Sequence, residues 1–315
     1  MYLGVDIGGT NISVGIVDEQ YKIVGRGKRK SYPALGTSSF CDDVASAISE
    51  AASNAGMTLG QFGYCGVGCP GVINTKSGVV EYSNNLDFYN LPLAKMLTER
   101  INIPVILGND ANAAALGEVL AGAAKGARNA VAVTLGTGVG AGIITDGKIY
   151  LGCNGSAGEI GHTLLVKGGE LCTCGRRGCF EAYASANALK RQTAQAMREN
   201  PQSKMWDICH SDEKVSGKTA FEAMRMGDEA ATAVVDTYID YLADGLTDII
   251  NILQPEILCI GGGVSKEGEH LTTPLAKLIE QRRFTRGNVA TTLVKCAELL
   301  NDAGIIGAAM LGRYS

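Results

Sequence analysis

The chain has 315 residues, of which 19% are charged and 46% hydrophobic, and its formal net charge is −4. This composition is typical of a globular protein with about two domains, and neither a membrane span nor a nucleic-acid partner is expected. The first ten residues lack the charged and apolar regions of a signal peptide, and ten cysteines then favour the reducing cytoplasm.

The first apolar stretch covers residues 2–17 and is interrupted by a glycine-rich turn. This pattern predicts a strand, a tight turn and a second strand. A third strand is expected at residues 22–30. The turn consists of Gly8, Gly9, Thr10 and Asn11. Bare backbone N–H groups and a hydroxyl suit phosphate oxygens, and Asp6 is a candidate to contact the hydration shell of a Mg²⁺ ion. A plain hairpin with a glycine turn is the alternative.

The next hundred residues alternate between helix and strand patterns. Apolar residues recur at helical spacing between residues 37 and 56. A strand is expected at residues 62–68, a second helix at 91–101 and a short strand at 104–107. Asn84 and Asn85, which lie between the first of these strands and the second helix, are either turn formers or ligands.

The strand at residues 104–107 runs directly into Gly-Asn-Asp-Ala-Asn and an alanine-rich segment. Asp110 therefore lies at the carboxyl end of a strand and at the start of a helix. An aspartate there is commonly a helix cap. It could equally be a general base that takes a proton from an attacking hydroxyl.

Residues 130–151 repeat the opening pattern of strand, Gly/Thr turn and strand, which indicates a duplicated domain. The second turn consists of Gly136, Thr137 and Gly138. Its Gly-rich run is not a dinucleotide fingerprint, because it leads into a second strand and not into a helix. Neither glycine turn contains lysine or arginine, so we expect Mg²⁺ to neutralise most of the phosphate charge.

A dense group of possible metal ligands lies at residues 155–181. It consists of His162, Cys172, Cys174 and Cys179. Three thiolates and one imidazole complete a tetrahedral shell for a structural zinc ion, and the glycines between them permit a tight loop. Scattered core residues are one alternative, and a disulfide is another. Glu159 and Glu181 flank the group, and such polar acceptors beside the histidine suit the vicinal hydroxyls of a sugar.

The last third of the chain predicts four helices, at residues 185–199, 228–253, 271–282 and 304–312, and two strands, at 256–260 and 291–295. Residues 201–216 are polar and expected to be irregular. The first of these two strands is followed by Gly261, Gly262 and Gly263. A triple glycine allows a planar ring or a ribose to lie against the backbone, although it could also be an ordinary turn.

The sequence G-E-I-G-H followed by C-x-C-G-x-x-G-C-x-E resembles the signature of the ROK family of bacterial sugar kinases and repressors. The resemblance implies that the histidine and three cysteines bind zinc. It also implies that Asp110 is the catalytic base and that the triple glycine forms an adenosine site. The sugar ligands that it implies are Asn85, Asn109, Asp110, Glu159, His162 and Glu181.

The resemblance further implies the duplicated ribonuclease H-like, or actin-like, ATPase fold, with two α/β domains and an interdomain cleft. The small domain would be residues 1–108 with the C-terminal helix at 300–315, and the large domain residues 109–299. The expected reaction is phosphoryl transfer from MgATP to a hexose 6-hydroxyl, and the expected assembly is a homodimer or a tetramer.

Glucose is the expected hexose, because the chain resembles glucokinases of this family along its whole length. N-acetylmannosamine, N-acetylglucosamine, fructose and allose are the alternatives. A sugar-sensing repressor is disfavoured by the acidic charge and by a first strand that begins at residue 2. An ATPase that does not use sugar is disfavoured by the intact Asp110 and sugar-side glutamates.

Overall fold

A computed structural model describes residues 1–287 and 289–314. It divides the chain into two compact units. The first unit comprises residues 1–132, 142–158 and 298–315, and the second comprises residues 133–141 and 159–297. The predicted domain bounds differ from these units mainly at residues 109–132 and 142–158. Both segments were expected in the large domain, but they group with the first unit. The physical reason is that the helix that begins at Asp110 packs on the C-terminal helix.

Thirteen strands occur in the described residues: β1 (Tyr2–Ile7), β2 (Asn11–Val17), β3 (Ile23–Lys30), β4 (Cys65–Cys69), β5 (Val72–Asn74), β6 (Val79–Ser83), β7 (Phe88–Leu91), β8 (Val105–Asn109), β9 (Ala130–Leu135), β10 (Val139–Thr145), β11 (Lys148–Ile149), β12 (Ile257–Gly262) and β13 (Leu293–Cys296). The α-helices of the same residues are α1 (Thr37–Asn54), α2 (Leu93–Ile101), α3 (Asp110–Ala121), α4 (Glu181–Ala184), α5 (Ala186–Glu199), α6 (Met205–Cys209), α7 (Thr219–Arg225), α8 (Glu229–Leu253), α9 (Glu269–Arg282) and α10 (Asp302–Tyr314).

The two five-stranded sheets share one strand order. The first runs β3-β2-β1-β4-β8 and the second runs β11-β10-β9-β12-β13. In the first sheet β1, β2 and β3 are antiparallel, whereas β4 pairs in parallel with β1 and β8. The sequence repeat is therefore a structural repeat, and the predicted duplicated α/β fold of the ribonuclease H-like, actin-like type is confirmed.

Small residues let α10 lie close to the first sheet and to α3. A Cβ atom on Gly66 would lie 1.8 Å from the Ala308 carbonyl oxygen, and one on Gly307 would lie 1.6 Å from that of Ala113. Neither distance is compatible with a side chain, so both glycines are required by the close approach of two backbones. The small residues of α10 thus permit its close packing on the first sheet and α3.

Two parts of the fold were not predicted. Strands β5, β6 and β7 form a separate three-stranded antiparallel sheet, where the sequence suggested only turns. Residues 201–216, expected to be irregular, contain α6 and a 3₁₀ helix at Asp212–Lys214. The segment is mostly polar in sequence, but its Met205 side chain is fully buried. Among the described residues, no helix has the length and apolar character needed to span a bilayer.

Candidate functional site

The first glycine turn connects β1 to β2 in the first unit. The Gly8 N–H donates to the Asn11 carbonyl oxygen at 2.8 Å, and the Asn11 side chain donates to the Thr10 hydroxyl at 2.9 Å. Gly9 and Thr10 are exposed. The turn is thus closed by its own hydrogen bonds, and it presents the N–H of Gly9 and the hydroxyl of Thr10 at the surface of the unit.

Asn109, and not Asp110, is the principal cap of α3. Its Oδ1 accepts from the N–H groups of Ala111 at 2.9 Å and Asn112 at 3.1 Å. Its Nδ2 donates to the Gly71 carbonyl oxygen at 3.1 Å. Asp110 also accepts from the Ala111 N–H, through Oδ1, at 2.9 Å. Because Asn109 supplies the extended backbone and the two acceptor bonds of an N-cap, capping does not account for the choice of aspartate at position 110.

Asp6 lies on β1 with its carboxylate largely withdrawn from water. Burial raises its pKa to about 7, and the negative charge of Asp110 adds to the effect. Residue Gly304 of α10 faces this carboxylate, since a Cβ atom there would lie 2.8 Å from its Cγ and 3.0 Å from each oxygen. The first unit therefore brings together two carboxylates from strand ends that are more than a hundred residues apart in sequence.

Asn85 lies in the exposed turn between β6 and β7. Its backbone carbonyl is close to the first glycine turn, since a Cβ atom on Gly9 would lie 3.8 Å from that oxygen. Its neighbour Asn84 accepts a hydrogen bond from Tyr82 at 3.2 Å. Within the described residues the Asn85 side chain has no protein hydrogen bond, so its amide is available to a ligand.

The second glycine turn connects β9 to β10 in the second unit. The Gly136 N–H donates to the Gly138 carbonyl oxygen at 3.0 Å, and the Gly136 carbonyl accepts from Ala186 at 2.9 Å. Thr137 is exposed at its tip. The turn has the same place in the second sheet that the Gly8–Thr10 turn has in the first, as the sequence repeat indicated.

The first two residues of the triple glycine end β12, the second sheet's fourth strand, and lie beside the last residues of β9, which lead into the second turn. Gly262 has a φ of 86°, and a Cβ atom there would lie 2.3 Å from the Leu135 carbonyl oxygen. Around Gly263 a Cβ atom would meet no described heavy atom within 4 Å. Gly262 is thus required by a left-handed turn against Leu135, while Gly263 leaves open space that a planar group could use.

A polar pocket of about 290 Å³ is lined in part by the 3₁₀ helix Val264–Glu267, which follows the triple glycine in sequence. It is lined by Lys218, Glu222, Arg225, Lys266, Glu267 and His270. Arg225 is paired with the buried carboxylate of Glu267 at 2.6 Å. Sequence reasoning missed this pocket, because its two walls come from α7 and from the region of α9, which are separated by the long helix α8.

The four proposed metal ligands lie together in the second unit. A ring nitrogen of His162 and the sulfur atoms of Cys172, Cys174 and Cys179 are all within 4.8 Å of one another. Cys174 and Cys179 have their sulfur atoms 3.7 Å apart, and the Cys172 sulfur is 3.7 Å from Nδ1 of His162. A disulfide bond needs about 2.05 Å, so Cys174 and Cys179 are not joined by one, and Cys172 is a free cysteine as well.

The 3.7 Å separation of the Cys174 and Cys179 sulfur atoms is close to that expected in a tetrahedral zinc shell. Zinc–sulfur bonds of about 2.3 Å require sulfur atoms about 3.8 Å apart at the tetrahedral angle. The loop is closed by backbone hydrogen bonds, and Gly175 and Gly178 have φ angles of 87° and 85°. A Cβ atom on Gly178 would also lie 1.8 Å from the Val166 carbonyl oxygen, so the tight loop that the glycines were expected to permit is present.

The two glutamates predicted to bind sugar have different surroundings. Glu159 is exposed at the start of the 3₁₀ helix Ile160–His162. Glu181 begins α4, and both of its carboxylate oxygens accept hydrogen bonds, from Val139 of β10 and from Thr173 of the cysteine loop. With Nδ1 of His162 facing the sulfur atoms, its Nε2 is left for another partner.

Two copies of one five-stranded topology, each with a glycine turn on its first hairpin, define an α/β protein of the actin-like ATPase fold. Comparison with known proteins agrees with this class. The chain belongs to the ROK family, whose model matches residues 2–314.

Individual relatives match over nearly the full length. A glucokinase of Thermotoga maritima is 38% identical over 310 residues, which are 98% of this chain and 96% of the relative. A ROK family glucokinase from Streptomyces griseus, solved with glucose and AMPPNP, is 34% identical with a TM-score of 0.84, and the match covers 98% of each chain. A ROK hexokinase from Thermus thermophilus is 29% identical with a TM-score of 0.81, covering 98% of this chain and 97% of the other.

Proposed function

We propose that the protein is an ATP-dependent hexose kinase that transfers the γ-phosphoryl group to the sugar 6-hydroxyl, with glucose as the substrate. The observation that carries this proposal is the match to the Streptomyces griseus glucokinase, which holds glucose and AMPPNP and aligns over 98% of both chains. The Thermotoga maritima relative is a glucokinase as well.

Asp110 is the proposed general base, which accepts the proton of the attacking hydroxyl. Its carboxylate lies at a strand end, beside a cap that Asn109 already provides. Phosphoryl transfer depends mainly on positioning and charge stabilisation, so a base needs only to orient the hydroxyl and receive its proton.

Asp6 and Asp110 are also the residues that fit a magnesium ion delivered with ATP. Carboxylate oxygens are ligands that Mg²⁺ accepts, directly or through water, and a divalent cation would relieve the repulsion that contributes to the raised pKa of Asp6. When bound, the ion neutralises charge on the phosphates. The two glycine turns contribute no cationic side chain of their own, but supply N–H and hydroxyl donors to phosphate oxygens.

The nucleoside is proposed to lie at the triple glycine. Gly261 and Gly262 bring the backbone close to the second glycine turn, and Gly263 leaves room for the ribose. The pocket lined by Lys218, Glu222, Arg225, Lys266, Glu267 and His270 is then the place for the base. Long cationic side chains there can lie against a planar ring.

The sugar is proposed to contact Asn85, Asn109, Asp110, Glu159, His162 and Glu181. Asn109 can contribute one N–H, because its oxygen and its other N–H are used within the protein. His162 would hold the zinc ion through Nδ1 and the sugar through Nε2. Zinc, when bound by the histidine and three cysteines, supplies a rigid loop and no open position for chemistry.

Replacing Gly304 with alanine tests the role of Asp6. The added methyl group would meet the buried Asp6 carboxylate at 3.0 Å or less, although alanine favours the helix by about 1 kcal/mol. Because a shift of about 1 Å can cost about 10²-fold in rate, we expect kcat to fall by about ten- to a hundred-fold and the Mg²⁺ requirement to rise. Steady-state kinetics at varied Mg²⁺ measures both.

Gly312→Ala is the matched control, since Gly312 lies on the same helix as Gly304 and its methyl group would meet Tyr64 and Ile106 and not Asp6. Equal kinetics and equal Mg²⁺ requirements in the two variants would show that Gly304 serves helix packing alone.

A coupled assay of ADP release across a panel of hexoses tests the proposed substrate. We expect the highest kcat/KM for glucose, and lower values for N-acetylmannosamine, N-acetylglucosamine, fructose and allose. The reaction without sugar measures wasteful ATP hydrolysis, which should be much slower. A higher kcat/KM for another sugar would reassign the substrate, and ADP release that is independent of every sugar would reject the kinase assignment.

A further inference from the structure

Glu181 is in contact with both the cysteine loop and the strand that leaves the second glycine turn. Its Oε2 accepts from the Val139 N–H at 3.0 Å. Its Oε1 accepts from the Thr173 hydroxyl at 2.8 Å and lies 3.5 Å from the Cys172 sulfur. All of these residues belong to the second unit, so the bridge is a feature of one compact body.

The Glu181 carboxylate lies directly against the backbone of the second glycine turn. A Cβ atom on Gly138 would lie 2.2 Å from Oε2 of Glu181, so the carboxylate sits directly against the turn. Gly138 in turn closes the turn by accepting from the Gly136 N–H at 3.0 Å. A change in the position of the Glu181 carboxylate must therefore reach the N–H groups that are proposed to hold phosphate.

The contact at the cysteine loop depends on Thr173, which lies between Cys172 and Cys174. A zinc-bound cysteine is a thiolate and has no proton to donate. In the metal-bound loop Thr173 is then the remaining side-chain donor to Oε1. A carboxylate has about four acceptor positions, and the bonds from Val139 and Thr173 leave room for a sugar hydroxyl.

We infer that Thr173 is a positioning residue that, through Glu181, couples sugar binding at the cysteine loop to nucleotide binding at the Gly136–Gly138 turn. The inference rests on the proposed function, because it takes Glu181 as a sugar ligand and the turn as a phosphate site. A sugar hydroxyl that orders Glu181 also orders the Val139 N–H and the turn. By linkage, nucleotide must then tighten sugar binding by the same factor.

The residue Thr173 can be changed without disturbing a core. It is exposed, and valine keeps its shape while removing the hydroxyl. Thr163 provides the matched control, because it is also exposed and directly follows the ligand His162, as Thr173 follows Cys172. Its hydroxyl donates to the Ile160 carbonyl at 2.7 Å, without reaching Glu181. Thr173→Ser restores the hydroxyl.

Calorimetric titration tests the coupling in the full-length, zinc-loaded protein. The affinity for glucose is measured with and without AMPPNP, and that for AMPPNP with and without glucose. Coupling between two sites is typically about 5- to 150-fold. We expect both ligands to strengthen each other in the wild type and in Thr163→Val, and the factor to fall at least about five-fold in Thr173→Val. Thr173→Ser should recover it, and zinc content should be equal in all four proteins.

Unchanged coupling in Thr173→Val, or a wild type in which neither ligand affects the other, would overturn the inference. Loss of zinc in Thr173→Val would also overturn it, since the threonine would then serve the metal loop. A wild type that binds neither glucose nor AMPPNP would overturn the proposed function and the inference with it.

Discussion

Replacing Asp110 with asparagine is expected to leave glucose bound but to slow turnover by about 10²- to 10⁴-fold, the usual contribution of a general base. The amide keeps the size of the side chain and cannot accept the hydroxyl proton. Calorimetry for the sugar affinity and steady-state kinetics for kcat separate the two effects. Normal turnover by this variant would remove Asp110 from the catalytic role.

The same substitution has a second expected outcome, in stability. Asn109 still caps α3, and the charge that helps to raise the pKa of Asp6 is removed. Asp110→Asn should therefore unfold at the same Tm as the wild type or higher, which is the usual sign of a residue kept for activity. Asp228→Asn is the control, because Asp228 caps α8 through Ala231 at 2.7 Å and should leave kcat unchanged.

Replacing Cys174 with serine is expected to remove the metal and to weaken sugar binding together. Cys174 is exposed, so the exchange opens no cavity, but the fourth strong ligand is lost. Even mutation of a residue that only hydrogen-bonds to a metal ligand typically costs about 10- to 100-fold in metal affinity or activity. We expect zinc content to fall close to zero and the KM for glucose to rise by at least about ten-fold.

Metal analysis and kinetics check this result, and a chelator should give the wild type the same defect. Cys153→Ser is the matched control, since Cys153 is also exposed and lies outside the four-ligand group. Full zinc content in Cys174→Ser would remove this cysteine from the shell. Lost zinc with an unchanged KM would separate the metal from sugar binding.

The cysteine loop was predictable because its chemistry is local. The three sulfur ligands lie within eight residues of one another, the histidine is ten residues before the first of them, and the glycines between them need positive φ values. A loop that short can place its ligands in few ways. The repeat of strand, glycine turn and strand was predictable for the same reason, since each hairpin pairs neighbours in sequence.

Contacts between distant segments were not predictable in this way. Pattern alone placed Asp110 and Asn109 at a helix start, but could not decide which of them caps α3. It proposed Glu181 as a sugar ligand and gave no sign that its carboxylate also holds Val139. The pocket lined by Lys218, Glu222, Arg225, Lys266, Glu267 and His270 was missed because its two walls are separated in sequence by the whole of α8.

By itself the sequence determined the duplicated hairpins, a group of residues that could hold a metal and the family, because periodicity and short spacings are set by neighbouring residues. The tertiary structure alone decided that Asp6 lies near both Asp110 and Gly304. It also decided that Glu181 accepts hydrogen bonds from both Val139 and Thr173. The physical reason is that charge repulsion, burial and the space left by a missing side chain depend on groups that only the folded chain brings within a few ångströms.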